Sequence, residues 1–138
     1  RKTLKPSQVR YEGMQGGVDV EQAELDRLSV SYAAAKGNEL DTEGAISWIR
    51  ENGIKHIALH LDCDVMDPHD FYATYFNNPA LGPIPYNAAT GHMKRASVWD
   101  FIEKISKETD LVGFTIAEYM PWSAMQMKEL MKRTKIFG

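Results

Sequence analysis

The feature that most constrains the fold is an apolar run ending in closely spaced aspartates, IKHIALHLDCDVMDP at residues 54–68. Such a run predicts a buried strand over residues 55–62. Side chains alternate along a strand with period two, so Asp62 and Asp64 are expected to point the same way where the strand ends. Two adjacent carboxylates repel each other unless a cation lies between them, and a divalent metal is the usual cation. The run therefore predicts a metal-binding strand end.

Strand and helix patterns alternate on both sides of this run. The expected strands cover residues 8–14, 28–33, 55–62 and 111–119. The expected helices run from a cap at Asp41 to Glu51, from Ala96 onward, and from a cap at Ser123 onward. Alternating strands and helices predict an α/β domain with a mostly parallel sheet.

Ligands of open parallel sheets bind beyond the carboxyl ends of the strands. Asp62, Asp64 and Glu118 fall at that edge, on two strands that one crossover joins, so we expect the three acids to be neighbours. Aspartate is depleted in strands, which favours metal binding over simple strand capping for Asp62 and Asp64. Glu118 is expected to meet a cationic group of a substrate.

Other residues around the run are expected to be structural. His60 shares the face of the aspartates and is expected to be a hydrogen-bonded supporting residue. Cys63 points to the opposite face as a small buried hydrophobe, and Asp67 before Pro68 is expected to shape a turn. Residues 68–93 hold four of the six prolines, which predicts a long irregular loop of the kind that is usually functional.

The composition excludes several classes of function. The net charge of -3 and the lack of a long basic run argue against nucleic acid and anionic membranes, so small molecules and ions are the expected ligands. A single cysteine excludes an internal disulfide framework and a multi-cysteine zinc site, which fits a reducing cytoplasm. No apolar segment reaches the roughly 18 residues of a membrane span. Because the chain opens with Arg1, we expect it to be a fragment or a processed piece.

Four segments together resemble one family, the ureohydrolases, which include arginase, agmatinase and formimidoylglutamase. LHLDCDVMDP at residues 59–68 resembles their S-F-D-x-D-x-x-D-P signature. The other segments follow the family's order and spacing, namely QVRYEGM at 8–14, GHMKRASVWDFIEKI at 91–105 and VGFTIAEYMP at 112–121. The resemblance covers nearly the whole chain, and its aspartate motif is the most specific part.

The resemblance implies a three-layer α/β/α sandwich with a mostly parallel sheet, of which residues 1–138 would be the C-terminal part. It implies a site for two Mn²⁺ ions, in which Asp62 bridges both metals and Asp64 binds one of them. Glu118 would hold the substrate guanidinium, and Asp19 is a weaker match to an acid that meets the α-amino group of arginine. In the family, a hydroxide that bridges the metals attacks the guanidino carbon, which yields urea and an amine. The implied partners are a small guanidino substrate and further copies of the chain in a homo-oligomer.

The chain also departs from the family. Two motifs that supply the other metal ligands, glycine-glycine-aspartate-histidine and aspartate-x-histidine-x-aspartate, do not occur in it. We therefore expect the 138 residues alone to be inactive and metal-free, and we assign no catalytic residue within them. His60 replaces a small residue, the segment 72–92 differs from the shorter family loop, and EYMP replaces E-V-N-P.

Two other functions fit part of the pattern. The haloacid-dehalogenase phosphatases share an apolar D-x-D strand, in which Asp62 would attack phosphate and Asp64 would be the general acid. That family places the motif on its first strand, whereas another strand and helix precede it here. A non-catalytic arginase-like binding protein is the third reading. In either arginase-like case, half of a parallel sheet leaves an unpaired edge, which predicts companion residues or self-association.

Overall fold

Strands and helices alternate in the part of the chain that the computed structural model describes, which comprises residues 3–15, 19–73, 78–81 and 91–134. In chain order these elements are β1 (Arg10–Met14), α1 (Asp19–Leu28), β2 (Ser31–Ala34), α2 (Thr42–Glu51), β3 (His56–Asp62), α3 (Arg95–Glu108), β4 (Asp110–Ala117) and α4 (Ala124–Arg133). The strands form two parallel pairs, β1 with β2 and β3 with β4. The predicted α/β class with parallel strands is confirmed.

The β3–β4 pair has one covered face and one open face. Along β3 the side chains of Ile57, Leu59 and Leu61 are wholly or partly buried, whereas the alternating residues from His56 to Asp62 are exposed. This is the alternation expected of a strand that packs on helices with only one face. The register pairs Asp62 with Ala117, so Glu118 follows β4 at the same edge where Asp62 ends β3.

Helices α2 and α3 each bury one apolar face. Asp41 caps α2 by accepting a hydrogen bond from the backbone N–H of Gly44 at 3.2 Å. In α3 the buried side chains recur at helical spacing and are Val98, Trp99, Phe101, Ile102 and Ile105. The ring of Trp99 meets that of Phe71 edge to face, with centroids 5.7 Å apart. This core holds the loop after β3 against α3.

The structure differs from the sequence prediction at several elements. Strand β2 covers Ser31–Ala34 and not residues 28–33, because Leu28 is the last residue of α1. Helix α1 was not predicted, because it buries none of its residues and carries no apolar stripe that packs on the core. Ser123 precedes α4 without capping it by its side chain, since its hydroxyl donates instead to the carbonyl of Tyr72 at 2.9 Å. Strand β4 ends at Ala117, not at 119, because Glu118 leaves the extended conformation with a φ of 51°.

The long loop is described only in part. Residues 63–65 form one turn of 3-10 helix, and a second such turn covers Pro79–Leu81. The prediction of irregular structure over residues 74–77 and 82–90 lies outside the described residues. Within the described ranges, no helix has the length and apolar content to cross a membrane.

Candidate functional site

Three acids meet at the carboxyl edge of β3 and β4, and we call Asp62, Asp64 and Glu118 the acid cluster. The pKa of Asp64 is raised to about 6, first by burial and then, in decreasing order, by the charge of Asp62, a hydrogen bond with Asp62 and the charge of Glu118. These interactions require the three carboxyl groups to lie close together. The structure thus brings the predicted acids into one electrostatic group, while their binding roles stay predictions.

The position of Asp64 differs from the one expected. The strand ends at Asp62, and Asp64 lies in the 3-10 turn Cys63–Val65 instead of continuing the strand. Between them, Cys63 is fully buried, as expected of a small hydrophobe. Burial raises the pKa of its thiol to about 12, and the negative charges of the acid cluster act in the same direction. The thiol is therefore neutral at physiological pH.

A glycine fixes the turn that carries Asp64. The backbone N–H of Gly91 donates to the carbonyl of Asp64 at 2.9 Å. A Cβ atom at Gly91 would lie 1.9 Å from the carbonyl oxygen of Val65, which is far below any tolerated contact. The backbone N–H of Met93 donates to the same Val65 carbonyl at 3.2 Å. Only glycine therefore allows the end of the loop to pack on this turn.

Gln15, the residue after β1, also holds the turn that carries Asp64. The side-chain amide of Gln15 donates to the carbonyl of Val65 at 2.9 Å, and its oxygen accepts from the backbone N–H of His92 at 2.7 Å. Sequence reasoning missed both Gln15 and Gly91 as supporting residues. The only sequence feature that could have indicated a supporting role for Gly91 is its position as a glycine at the end of the long loop. No local sequence pattern indicates such a role for Gln15.

Glu118 has an unusual backbone conformation. Its φ of 51° lies in the left-handed region that residues with a Cβ atom rarely adopt. Such conformations cost free energy and occur preferentially at ligand-binding and catalytic sites. The side chain of Glu118 is exposed at the edge of the sheet, beside the aspartates.

The histidines and Asp67 near the cluster have structural partners. The Nδ1 atom of His60 lies 2.7 Å from the hydroxyl of Thr115 on β4, which agrees with the predicted hydrogen-bonded histidine. Asp67 accepts from the backbone N–H of His69 at 2.9 Å and pairs with Lys94 at 2.8 Å. The hydrogen bond from Lys94 is the main reason that the pKa of Asp67 falls to about 2. Asp67 thus shapes the loop, as predicted.

Asp19 is not linked to the acid cluster by any described contact. It is the first residue of α1 and is exposed, and no hydrogen bond or ion pair joins it to another of the described residues. Its predicted role toward an α-amino group stays a prediction.

The acid cluster meets part of what a metal ion requires. Carboxylate oxygens suit Mn²⁺, and a cation would offset the repulsion that raises the pKa of Asp64. Among the residues that the structure describes, however, no three or more His, Cys, Asp or Glu side chains are grouped closely enough to hold a metal. Asp62 and Asp64 therefore fit as two ligands of an incomplete set.

Comparison with known proteins supports the fold. No family model matches the sequence, and no curated protein is significantly similar to it. Among solved structures, the arginase of Helicobacter pylori is similar, with a TM-score of 0.59 and 16% identity. The match covers 94% of this chain and 42% of that chain, so the present sequence spans less than half the length of that arginase. The chain thus has an arginase-like α/β fold, as predicted.

Proposed function

We propose that this chain is part of a ureohydrolase, a metal-dependent enzyme that hydrolyses a guanidino compound to urea and an amine. The observation that carries the proposal is the acid cluster at the carboxyl edge of two neighbouring parallel strands, within an arginase-like fold. This is the edge at which open α/β sheets bind their ligands.

Asp62 and Asp64 are proposed to bind Mn²⁺ through their carboxylates. A pair of such ions supplies a water-derived nucleophile at neutral pH when it is bound. The turn that holds Asp64 is fixed by Gly91 and Gln15, which restricts where its carboxylate lies. The remaining ligands would have to come from outside the described residues. By themselves, two carboxylates would bind Mn²⁺ weakly.

Glu118 is proposed to bind the guanidinium group of the substrate. A carboxylate accepts two parallel hydrogen bonds from the planar guanidinium fork, which fixes both the position and the orientation of the group. Glu118 is exposed and lies next to the aspartates, so its carboxylate is accessible to a cationic group of a substrate.

One observation favours a second candidate, a non-catalytic arginase-fold protein. The ligand set that the described residues offer is incomplete, and a protein that lacks the rest would bind a ligand without turnover. The phosphatase alternative has less support, since the D-x-D segment begins at the end of β3, the third of the described strands, within an arginase-like fold.

The test uses the full-length product of the gene that encodes this chain, loaded with Mn²⁺ and offered arginine or agmatine. We expect urea release, and we expect Asp62→Asn to abolish both urea release and Mn²⁺ binding. Glu118→Gln should raise KM for the guanidino substrate and leave Mn²⁺ binding unchanged. Asp110→Asn, at the opposite end of β4, is the matched control and should change neither quantity.

Other outcomes separate the alternatives. Full Mn²⁺ occupancy without urea release from any guanidino compound would support the non-catalytic protein. Phosphate release with Mg²⁺ that depends on Asp62 would support the phosphatase. The expected homo-oligomer and cytoplasmic location belong to the same proposal, and sedimentation analysis and cell fractionation test them.

A further inference from the structure

Two side chains that follow β4 donate hydrogen bonds to one backbone carbonyl in the long loop. The indole Nε1 of Trp122 lies 2.8 Å from the carbonyl oxygen of Tyr72, and the hydroxyl of Ser123 lies 2.9 Å from the same oxygen. A carbonyl oxygen has two lone pairs, so it can accept both hydrogen bonds at once. Ser123 is fully buried. We call Trp122, Ser123 and the Tyr72 carbonyl the two-donor clamp.

On one side, the two-donor clamp holds the segment that leaves Glu118. Glu118 directs the chain out of β4 with its φ of 51°. The chain then enters a 3-10 turn over Pro121–Ser123, in which the N–H of Ser123 donates to the carbonyl of Met120 at 3.0 Å. Only Tyr119 and Met120 separate Glu118 from this turn. The backbone of Glu118 is therefore held by β4 before it and by the clamp shortly after it.

On the other side, the clamp holds the segment that follows Asp64. The N–H of Phe71, next to Tyr72, donates to the carbonyl of Asp67 at 2.9 Å. The N–H of Asp67 donates in turn to the carbonyl of Met93, also at 2.9 Å. The N–H of Met93 binds a carbonyl within the turn that carries Asp64. Tyr72 is therefore anchored to this turn, and the clamp connects the turn with the segment after Glu118.

Two local features of the clamped segment are unfavourable on their own. A serine just before a helix usually caps the first turn with its side chain, and the lack of such a cap is destabilising. The hydroxyl of Ser123 does not cap α4 and donates to Tyr72 instead. Glu118 has a left-handed backbone conformation, which a residue with a Cβ atom disfavours. Departures from local preference of this kind are concentrated at functional sites, where other contacts compensate for them.

We propose that Trp122 and Ser123 are positioning residues that fix the Glu118 carboxylate relative to the two aspartates of the acid cluster. The inference rests on the part of the proposed function in which Glu118 binds the guanidinium group of the substrate. A guanidinium fork requires both carboxylate oxygens at set positions, so a small displacement of Glu118 weakens both hydrogen bonds. Trp122 and Ser123 affect substrate binding only through Glu118.

The test measures KM for arginine and agmatine in the full-length enzyme loaded with Mn²⁺. Trp122→Phe keeps an aromatic ring but loses the N–H donor, and Ser123→Ala loses the hydroxyl. Each single variant leaves the Tyr72 carbonyl with one donor, so we expect KM to rise by no more than about threefold. The double variant leaves this carbonyl without a side-chain donor, and we expect KM to rise at least about tenfold. Mn²⁺ affinity should stay within about twofold of the wild-type value.

Two controls separate positioning from a general loss of stability. Ile105→Val shortens a side chain on the buried face of α3 and should destabilise the fold without changing KM. The second control repeats the double clamp variant in the Glu118→Gln background, which completes a double-mutant cycle. Because the clamp acts through Glu118, removing it in this background should change KM by less than about twofold.

An unchanged KM in the double clamp variant would overturn the inference, as would an equal rise of KM in the Glu118→Gln background. A parallel loss of Mn²⁺ affinity would overturn it in favour of a clamp that supports the aspartates. Failure of the proposed function gives a different result, namely a wild-type enzyme that releases no urea.

In that case the same cycle is measured by calorimetry on the dissociation constant of agmatine. A clamp effect that disappears in the Glu118→Gln background supports the positioning role without turnover. A wild-type protein that neither releases urea nor binds arginine or agmatine would overturn both proposals.

Discussion

The side-chain amide of Gln15 donates a hydrogen bond to the backbone carbonyl of Val65, with 2.9 Å between nitrogen and oxygen. The same amide group accepts from the backbone N–H of His92 at 2.7 Å. One side chain thus joins the end of β1, the turn that carries Asp64 and the end of the long loop. These three segments are distant in sequence, and their contact closes the carboxyl end of the fold.

Replacing Gln15 should therefore destabilise the protein. We expect Gln15→Ala to lower the free energy of unfolding by about 1–2 kcal/mol, since two hydrogen bonds are lost and a partly buried carbonyl loses a donor. Gln15→Glu keeps the acceptor for His92 and should lose about half as much. Urea unfolding measures both variants. The control Lys128→Ala, at an exposed position of α4, should stay within about 0.5 kcal/mol, and an equal loss there would contradict the role of Gln15.

Asp64 should make stability depend on pH in the metal-free chain. Its folded pKa of about 6 lies above the value of about 4 in an unfolded chain. A raised pKa favours folding while the group is protonated, so this stabilisation is complete below pH 4 and is lost as the pH rises to 6. Asp64 is partly exposed, so solvent screening limits the loss of stability to about 1 kcal/mol. We expect the decrease in the free energy of unfolding between pH 4 and pH 6 to be absent from Asp64→Asn.

Unfolding curves between pH 4 and 8 check this expectation. Asp67→Asn is the matched comparison, because Lys94 lowers the pKa of Asp67 to about 2. A lowered pKa stabilises the fold above pH 4, and this stabilisation is lost as the pH falls toward 2. Asp67→Asn should therefore lower stability by the same amount throughout pH 4–8 and leave the decline from pH 4 to 6 in place. A decline from pH 4 to 6 that persists in Asp64→Asn would show that another group causes it.

Local patterns predicted the elements that depend on nearby residues. Asp41 caps α2 through Gly44, three residues away, and the buried stripe of α3 recurs at helical spacing. The convergence of Asp62 and Glu118 also followed from the sequence, because parallel strands place their carboxyl ends at one edge. Such features need only a local period or a simple topological rule.

Features that depend on distant contacts could not be predicted. Asp64 lies in a turn because the end of the loop, through Gly91, hydrogen-bonds to its carbonyl from 27 positions further along the chain. Helix α1 lacks a buried stripe, so no apolar period marked it.

Gly91 should tolerate no side chain. We expect Gly91→Ala to lower the free energy of unfolding by about 2 kcal/mol or more, since a Cβ atom would lie 1.9 Å from the Val65 carbonyl oxygen. The loop end would have to separate from the turn, so the amide of Gly91 that donates to Asp64 should also exchange faster with solvent. Gly37→Ala is a contrasting control, as no atom lies within 4 Å of its Cβ position. Gly37→Ala should be destabilising only because a residue with a Cβ atom is strained at a φ of 63°. It should not change the amide exchange rate at the turn that carries Asp64.

The backbone conformation of Glu118 should lower the stability of the fold. Its φ of 51° is unfavourable for a residue with a Cβ atom, so we expect Glu118→Gly to raise the free energy of unfolding by about 0.5–1 kcal/mol. Glu118→Gln removes the charge near Asp64 but keeps the strained backbone, and the difference between the two variants isolates the backbone effect. Ser29→Gly, whose φ is 55°, should gain a similar amount far from the acid cluster. If Glu118→Gly is no more stable than Glu118→Gln, the left-handed conformation imposes no cost. If it is more stable, the left-handed backbone of Glu118 lowers the stability of the fold.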